Sequence, residues 1–232
     1  MNKISLDSFL NLSRNMKDEI VKIFEEGISP FQKLMSYYRC ALMEVETKFN
    51  VLNEEFSFTH ERNPIEHIKT RIKTPDSIRR KMMSLKLSPT VAAIEKNIHD
   101  VAGIRIICQF INDIFVLADC LLAQDDIKVL EKKDYITRPK ESGYRSLHLI
   151  IEVPIFLHNE KRFMKVEVQL RTIAMDFWAT LEHKLHYKKN IDEELEKTIL
   201  KELKICAEES IKLDLKMQNI QDRIENRRVK ND

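Results

Sequence analysis

Four short stretches of the sequence combine residue types suited to phosphate chemistry, and the first is rich in cations. Residues 69–86 carry seven basic residues and one acid: Lys69, Arg71, Lys73, Arg79, Arg80, Lys81 and Lys86, with Asp76. The first three alternate, so a strand over 67–74 would place them on one face. A Thr-Pro-Asp sequence follows and predicts a helix start, whose free N–H groups favour phosphate. The stretch therefore predicts a polyphosphate clamp, although a solvated charged face explains the same composition.

A second stretch, EVQLRT (167–172), alternates between polar and apolar residues. On a strand, Glu167, Gln169 and Arg171 would share one face, and aliphatic side chains would occupy the other. Polar side chains inside a strand must be solvated or engaged by a partner. This row of three polar side chains is consistent both with a ligand-binding surface and with a solvent-exposed face of the sheet.

The third stretch, HDVAGIR, places Asp100 just before a glycine that opens a buried strand, and Arg105 lies on that strand. Carboxylates of this kind often hold Mg²⁺ in phosphate chemistry. If Asp100 and Glu167 lie on neighbouring strands, they can share one ion, and one of them can also act as a general base. An acidic cap on the preceding helix is the alternative for Asp100.

The fourth stretch, KESGYRSLH, contains one of only three glycines in the chain. Gly143 allows a sharp turn of the backbone, and Tyr144 offers a flat face on which a purine can stack. Lys140, Arg145 and His148 would then reach phosphate or ribose. A hairpin turn with a tyrosine is the alternative for this loop alone.

The residues around these stretches predict an α+β fold with a mixed sheet of about five strands flanked by helices. The expected strands are 67–74, 103–110, 127–131, 146–156 and 161–172. The expected helices are 5–26 and 30–52, which form an N-terminal hairpin, one starting near 75, 90–99, 113–123, and a helical region from 173 to the end. We expect one domain over 1–232: N-terminal helices (1–56), a catalytic core (57–190) and a long C-terminal helix (191–232).

The C-terminal helix carries two series that recur every seven residues and are offset by four: Ile199, Cys206, Leu213 and Ile220, and Leu203, Ser210, Met217 and Ile224. This spacing is typical of a coiled-coil seam, which Ser210 weakens. A long helix packed against its own domain explains the pattern equally well.

Net charge, cysteine spacing and hydropathy limit the functional classes that the composition supports. The formal net charge of +2 is too small to imply nucleic-acid binding by itself. The four cysteines form no CxxC pair, and no apolar run approaches the roughly 20 residues that span a bilayer. We therefore expect a reduced, cytoplasmic protein with no membrane segment. The sequence contains neither GxxxxGK[ST] nor GxGxxG, so it has no P-loop or Rossmann signature.

Five motifs in order resemble the synthetase domain of RelA/SpoT-type proteins, and most closely their single-domain small alarmone synthetases: RIKTPDSI, HDVAGIRI, KESGYRSLH, VEVQLRT and MDFWATLEHKLHYK. The resemblance covers about residues 60–190. It implies a nucleotidyltransferase-like fold and a GTP pyrophosphokinase. Such an enzyme transfers the β,γ-pyrophosphate of ATP to the 3′-hydroxyl of GTP or GDP and releases AMP. The resemblance also implies a homotetramer.

The same resemblance implies roles for individual residues. Asp100 would coordinate Mg²⁺, and Glu167 would contact the metal or take the proton of the 3′-hydroxyl as general base. The nucleotide-binding residues divide by substrate: Arg71, Lys73, Lys81 and Arg105 for the ATP phosphates, and Lys140, Tyr144, Arg145, His148, Gln169 and Arg171 for the guanine nucleotide, with Tyr144 stacked on the base. Two positions depart from the family pattern. An arginine expected shortly after Lys81 is absent, with Lys86 as its candidate substitute, and Asp176 stands where some relatives have asparagine.

Two other functions fit parts of the sequence. The His99-Asp100 pair also occurs in metal-dependent HD phosphohydrolases, which need further ligands: here His67, and Asp113 or Asp119. A non-enzymatic RNA-binding or oligomeric module would use the basic stretch and the C-terminal helix, and RNA binding could also coexist with synthesis. Product analysis separates a hydrolase, which consumes ppGpp, from a synthetase, which forms it.

Overall fold

A five-stranded sheet forms the centre of the computed structural model, which describes residues 28–60, 62–186 and 193–228. Its strands are β1 (Ile65–Ile72), β2 (Ala102–Cys108), β3 (Lys128–Asp134), β4 (Leu147–Phe156) and β5 (Lys161–Thr172). The helices in these ranges are α1 (Ile28–His60), α2 (Pro75–Ser84), α3 (Val91–Asn97), α4 (Ile111–Leu122), α5 (Ile173–His186) and α6 (Glu193–Arg228). The expected α+β fold is confirmed. The expected helix over 5–26 lies outside the described residues, so the N-terminal hairpin stays a prediction.

The sheet is mixed, with strand order β1-β2-β5-β4-β3. Strands β2 and β5 run parallel, and every other neighbouring pair is antiparallel. The register places Gly103 of β2 between Arg71 of β1 and Glu167 of β5. The next row on the same face is polar in four strands: Lys69, Arg105, Gln169 and His148. Because side chains alternate along a strand, these two rows share one face of the sheet.

The opposite face of the sheet carries the hydrophobic core. Its strand residues are almost fully buried: Ile104, Ile106, Leu149, Val166 and Val168. Helices α1 and α4 cover this face, with Phe49 and Leu117 at 0% exposure. Each such side chain stabilises the fold by about 1.5–3 kcal/mol when it leaves water. Because the apolar residues of each strand are buried on this face, the polar residues that alternate with them must lie on the opposite face.

Helix α6 packs against its own domain along one side. Ala207, Asp214 and Gln218 are buried there, and the Trp178 indole N–H of α5 donates to the Leu203 carbonyl at 2.9 Å. Part of the heptad pattern is nevertheless exposed: Leu213, Met217, Ile220 and Ile224. The packing of this helix against its own domain is therefore confirmed, and the coiled-coil seam stays a prediction. None of the described helices, including this one, is long and apolar enough to cross a membrane.

Candidate active site

Two neighbouring clefts open on the polar face of the sheet. The first, of about 340 Å³, lies over β1, β2 and β5, and its walls include Lys69, Arg71, Gly103, Arg105, Glu167 and Gln169. The second, of about 480 Å³, lies between the loop before β4 and helix α5, and its walls include Arg71, Arg105, Lys140, Tyr144, Arg171 and Lys184. The clefts meet at Arg71 and Arg105, which line both. Guanidinium groups pair with phosphate oxygens through two parallel hydrogen bonds, so the junction suits phosphorylated ligands.

Asp100, two residues before β2, is held by two lysines. The Lys73 ammonium donates to one carboxylate oxygen at 2.5 Å, and the Lys81 ammonium lies 2.8 Å from the other. Lys81 lies on α2, which the buried side chains of Ile78 and Met82 anchor to the core. Burial alone would raise the Asp100 pKa, but the two lysines outweigh it and leave the pKa below its ordinary value. Asp100 is thus ionised at neutral pH.

Glu167 forms part of the first cleft. Gln169 Nε2 donates to its carboxylate at 3.0 Å, and His148 Nδ1 lies 3.5 Å away. Burial would raise the Glu167 pKa, but His148 and Gln169 outweigh it and leave the pKa below its ordinary value. The charge of Asp100 also raises the pKa of Glu167. Asp100 and Glu167, which the sequence predicts to share one metal ion, are therefore close enough to interact electrostatically.

These two carboxylates fit Mg²⁺ but do not form a complete protein cage. Both are ionised and supply hard oxygen ligands, and Mg²⁺ is usually bound by one or two carboxylates together with substrate phosphates. Among the described residues, no group of three or more His, Cys, Asp or Glu side chains could hold a metal. His99 instead contacts the Lys96 carbonyl at 3.2 Å. The ligand set of an HD phosphohydrolase is therefore not found in the part of the chain that the structure describes.

The loop before β4 turns tightly around Gly143. The Gly143 N–H donates to the Lys140 carbonyl at 2.8 Å, and the Lys140 N–H donates to the Tyr144 carbonyl at 3.1 Å. Arg171 Nη2 donates to the Tyr144 hydroxyl at 2.6 Å, and that hydroxyl lies 2.8 Å from His148 Nε2. The structure thus brings Lys140, Tyr144, His148 and Arg171 together, as the sequence predicts.

Asp176, near the start of α5, joins the cations of the two clefts. Its carboxylate lies 2.9 Å from Arg105 Nη1, 3.1 Å from Arg171 Nη1 and 3.3 Å from Lys69 Nζ. Burial would raise the Asp176 pKa, but Arg105, Arg171 and Lys69 lower it below its ordinary value. The carboxylate therefore holds two guanidinium groups at fixed positions beside the second cleft. The sequence alone left the role of Asp176 open.

Five residues assigned to nucleotides from the sequence line neither cleft: Lys73 and Lys81, which contact Asp100, His148, which contacts Glu167 and Tyr144, and Arg145 and Lys86. Gln169, assigned to the guanine nucleotide, lines only the first cleft. Arg145 is only 8% exposed, lines neither cleft, and pairs with Asp214 of α6. Because the chain runs extended into β4, consecutive side chains point to opposite sides, and Tyr144 already faces the second cleft. Lys86, the candidate substitute for the missing arginine, follows α2 with φ 53° and also lines neither cleft.

Sequence reasoning missed one wall of the second cleft. Helix α5 contributes Thr180, His183 and Lys184 to it. They lie four, seven and eight residues after Asp176, which follows the helical repeat, so they share one face with it. That periodicity, extended from Asp176, was the signal that could have identified them.

Comparison with known proteins agrees with this chemistry. A family model described as "Region found in RelA / SpoT proteins" matches residues 70–192. The GTP pyrophosphokinase YwaC of Bacillus subtilis (strain 168) is 42% identical over 216 residues, which cover 93% of this chain and all of YwaC.

Two solved structures resemble the chain in both sequence and fold. The small alarmone synthetase 1 from Bacillus subtilis bound to its product pppGpp is 34% identical, with a TM-score of 0.74 over 84% of this chain and 98% of that chain. The same synthetase bound to AMPCPP is 32% identical, with a TM-score of 0.70 over 85% and 98%. The similarity extends over most of each chain, not only over the motifs.

Proposed function

The chain belongs to the RelA/SpoT family, and from this membership we propose how its two clefts bind the substrates of a GTP pyrophosphokinase. The enzyme synthesises (p)ppGpp. One observation carries the proposal: two cationic clefts meet at Arg71 and Arg105, and Glu167 lies in the first of them. A transferase with two nucleotide substrates needs two anion sites side by side, because alignment of the reacting groups supplies much of its rate.

We assign ATP to the first cleft and the guanine nucleotide to the second. The first cleft offers Arg71 and Arg105 for phosphates, with Lys73 and Lys81 nearby at Asp100. The second offers the Tyr144 ring and several cations, which suit a base and its phosphates. The neighbours bound to AMPCPP and pppGpp support the use of an adenine and a guanine nucleotide by this fold.

In this arrangement Glu167 is the general base. Its carboxylate takes the proton of the 3′-hydroxyl of GTP or GDP while that oxygen attacks the β-phosphorus of ATP. The bond from the β-phosphorus to the oxygen shared with the α-phosphate breaks, and AMP leaves. Because a carboxylate is a much weaker base than the alkoxide of a ribose hydroxyl, proton transfer accompanies the attack instead of preceding it.

Charge stabilisation comes from groups already in place before reaction. Arg71 and Arg105 stand where the two clefts meet, and Asp176 fixes Arg105 and Arg171. Fixed cations stabilise phosphoryl oxygens without the cost of reorganisation. We propose that Asp100 and Glu167 hold Mg²⁺, which would offset the negative charge of the transferred pyrophosphate when bound.

We further propose that the chain acts in the cytoplasm as a homotetramer. The exposed row Leu213, Met217, Ile220 and Ile224 of α6 has coiled-coil spacing, which suits contact with another copy. The four cysteines are free, as expected in a reducing compartment. Light scattering tests the assembly: a Leu213→Lys, Ile220→Lys variant should be smaller than the unaltered protein, and an unchanged mass would contradict a contact through this row.

Product analysis tests the proposed reaction. The protein is incubated with ATP, Mg²⁺ and each guanine nucleotide in turn, and the products are resolved. We expect AMP and pppGpp in equal amounts from GTP, AMP and ppGpp from GDP, and no product without Mg²⁺. Formation of ADP, or release of pyrophosphate without a guanine product, would contradict the transfer. Consumption of added ppGpp would indicate a hydrolase instead.

A further inference from the structure

A buried polar contact outside both clefts joins helix α6 to the loop over residues 140–146, here called the acceptor loop. Asp214 Oδ2 lies 3.4 Å from Arg145 Nη1 and accepts a hydrogen bond from Thr172 Oγ1 at 2.8 Å. The two charged side chains are only 9% and 8% exposed. Thr172 ends β5 and directly follows Arg171. One carboxylate of α6 therefore ties the acceptor loop to the strand that carries Glu167.

The backbone of the acceptor loop also rests on α6. Gly143 has φ 91°, and a Cβ at this position would lie 2.4 Å from the Ala207 Cβ, where carbon atoms in contact stay about 3.5–4.0 Å apart. Tyr144 packs against a small apolar cluster formed by Ala207, Trp178 and Ala179. The loop thus touches α6 on either side of the tyrosine that faces the second cleft.

Stability alone does not account for the Arg145–Asp214 pair. Buried ion pairs contribute little net stability, because the loss of hydration offsets the attraction. Burial raises the pKa of Asp214 and lowers the pKa of Arg145, so the surroundings disfavour both charges. The pair instead fixes the position of Arg145, the residue next to Tyr144, relative to α6 and β5.

We propose that helix α6 positions the acceptor loop for the guanine nucleotide, with Asp214 acting through Arg145 and Ala207 acting through Gly143. Asp214 and Ala207 are positioning residues, since neither lines a cleft. This inference rests on the proposed function, in which the loop binds the acceptor. It gives Arg145 the task of anchoring the loop in place of contacting the nucleotide.

The first test is Asp214→Asn, which keeps an oxygen to accept from Thr172 but removes the charge that faces Arg145. We expect the KM for GTP to rise about tenfold, while kcat and the KM for ATP stay within about twofold. Glu225→Gln is the control, because Glu225 lies on the same helix and pairs with Arg62 at 3.8 Å, away from the loop. Equal rises in both KM values, or no rise, would overturn the proposal.

The second test is a size exchange between the loop and the helix. Gly143→Ala forces the new methyl group against Ala207 and should raise the KM for GTP about tenfold or more. Adding Ala207→Gly to that variant removes the clash and should recover at least about a third of the lost affinity, while left-handed backbone strain at residue 143 limits full recovery. Ala207→Gly alone should change the KM for GTP by less than about threefold, since it costs mainly helix propensity. A double variant no better than Gly143→Ala contradicts the contact.

The two tests separate this inference from the proposed function. The unaltered protein must first form pppGpp from ATP and GTP, and failure there refutes the proposed function itself. If the unaltered protein is active and the KM for GTP is unchanged in Asp214→Asn, only the positioning role is refuted. Thermal unfolding of each variant accompanies the kinetics, and the size exchange decides the matter if Asp214→Asn does not fold.

Discussion

The two clefts are built in different ways. The first lies on three adjacent strands, whose register alone sets Arg71, Gly103 and Glu167 in one row. The second lies between a loop and a helix, and its loop is held from outside the cleft by Asp214 and Ala207 of α6. Strands β2 and β5 are hydrogen-bonded to a neighbouring strand on each side and β1 on one side, whereas a loop depends on the contacts that the rest of the fold supplies.

This difference separates chemistry from recognition. Groups that take part in bond making lose rate steeply when they move by about 1 Å, and the strand-built cleft holds such a group in Glu167. The loop-built cleft holds Tyr144, whose task is to recognise the acceptor. Changes at Glu167 should therefore lower kcat, and changes at Tyr144 should raise the KM for the guanine nucleotide. Asp176 contacts cations of both clefts and should affect both parameters.

The largest effect is expected from Glu167→Gln. Loss of a general base lowers the rate about 10²–10⁴-fold, and the shape of the side chain is kept, so both nucleotides should still bind. Rates of AMP formation and direct binding measurements check this. Glu152→Gln is a matched control, because Glu152 lies on the same face of β4 as His148 but lines neither cleft. Full activity of the Glu167 variant would refute its role as base.

A smaller effect, on both substrates, is expected from Asp176→Asn. Without the carboxylate, Arg105 and Arg171 repel each other and lose the partner that fixes them. We expect kcat/KM to fall about tenfold for ATP and for GTP alike, since misplacement of fixed cations weakens transition-state binding. Initial rates with each nucleotide varied in turn measure this. A fall confined to one nucleotide would show that Asp176 serves only one cleft.

The smallest effect is a difference in how pH changes stability. The pKa of Asp176 is lowered, so its ionised form stabilises the fold above about pH 4, and this contribution is lost as the pH falls through the lower native value. The pKa of Asp214 is raised, so the fold gains stability as the pH falls from neutral through that raised value.

Thermal unfolding as a function of pH checks these opposite signs. The unaltered protein should have a higher melting temperature than Asp176→Asn at neutral pH, and this difference should disappear below about pH 4. Relative to Asp214→Asn, the melting temperature of the unaltered protein should rise on acidification from pH 7. The same sign for both comparisons would contradict the different environments of these two carboxylates.

The strand-built cleft could be predicted almost entirely from the sequence. Alternation in HIKTRIKT and EVQLRT assigns side chains to faces because a strand has a period of two, and the structure keeps both assignments. The glycine before Arg105 also marked the strand that lies between them. What the sequence lacked was the strand order, since β2 and β5 pair across more than fifty intervening residues.

The loop-built cleft was predicted only in part, because its geometry depends on distant contacts. The KESGYRSLH motif located Tyr144 and Lys140, but the position of Arg145 depends on Asp214, which lies 69 residues further along the chain. No local pattern distinguishes an arginine that faces a cleft from one that faces a helix. The three-cation contact of Asp176 was hidden for the same reason: its partners lie on β1, β2 and β5.

The central claim, that one cleft takes ATP and the other takes the guanine nucleotide, is tested most directly by nucleotide binding to Tyr144→Ala. Calorimetric titrations with GTP and with AMPCPP are compared for the variant and the unaltered protein, with Tyr144→Phe as the control that keeps the ring. Loss of stacking, about 1–3 kcal/mol per base, should weaken GTP binding about tenfold or more. AMPCPP binding should stay within about twofold. Equal weakening of both nucleotides, or weakening of AMPCPP alone, would contradict the assignment of the two clefts.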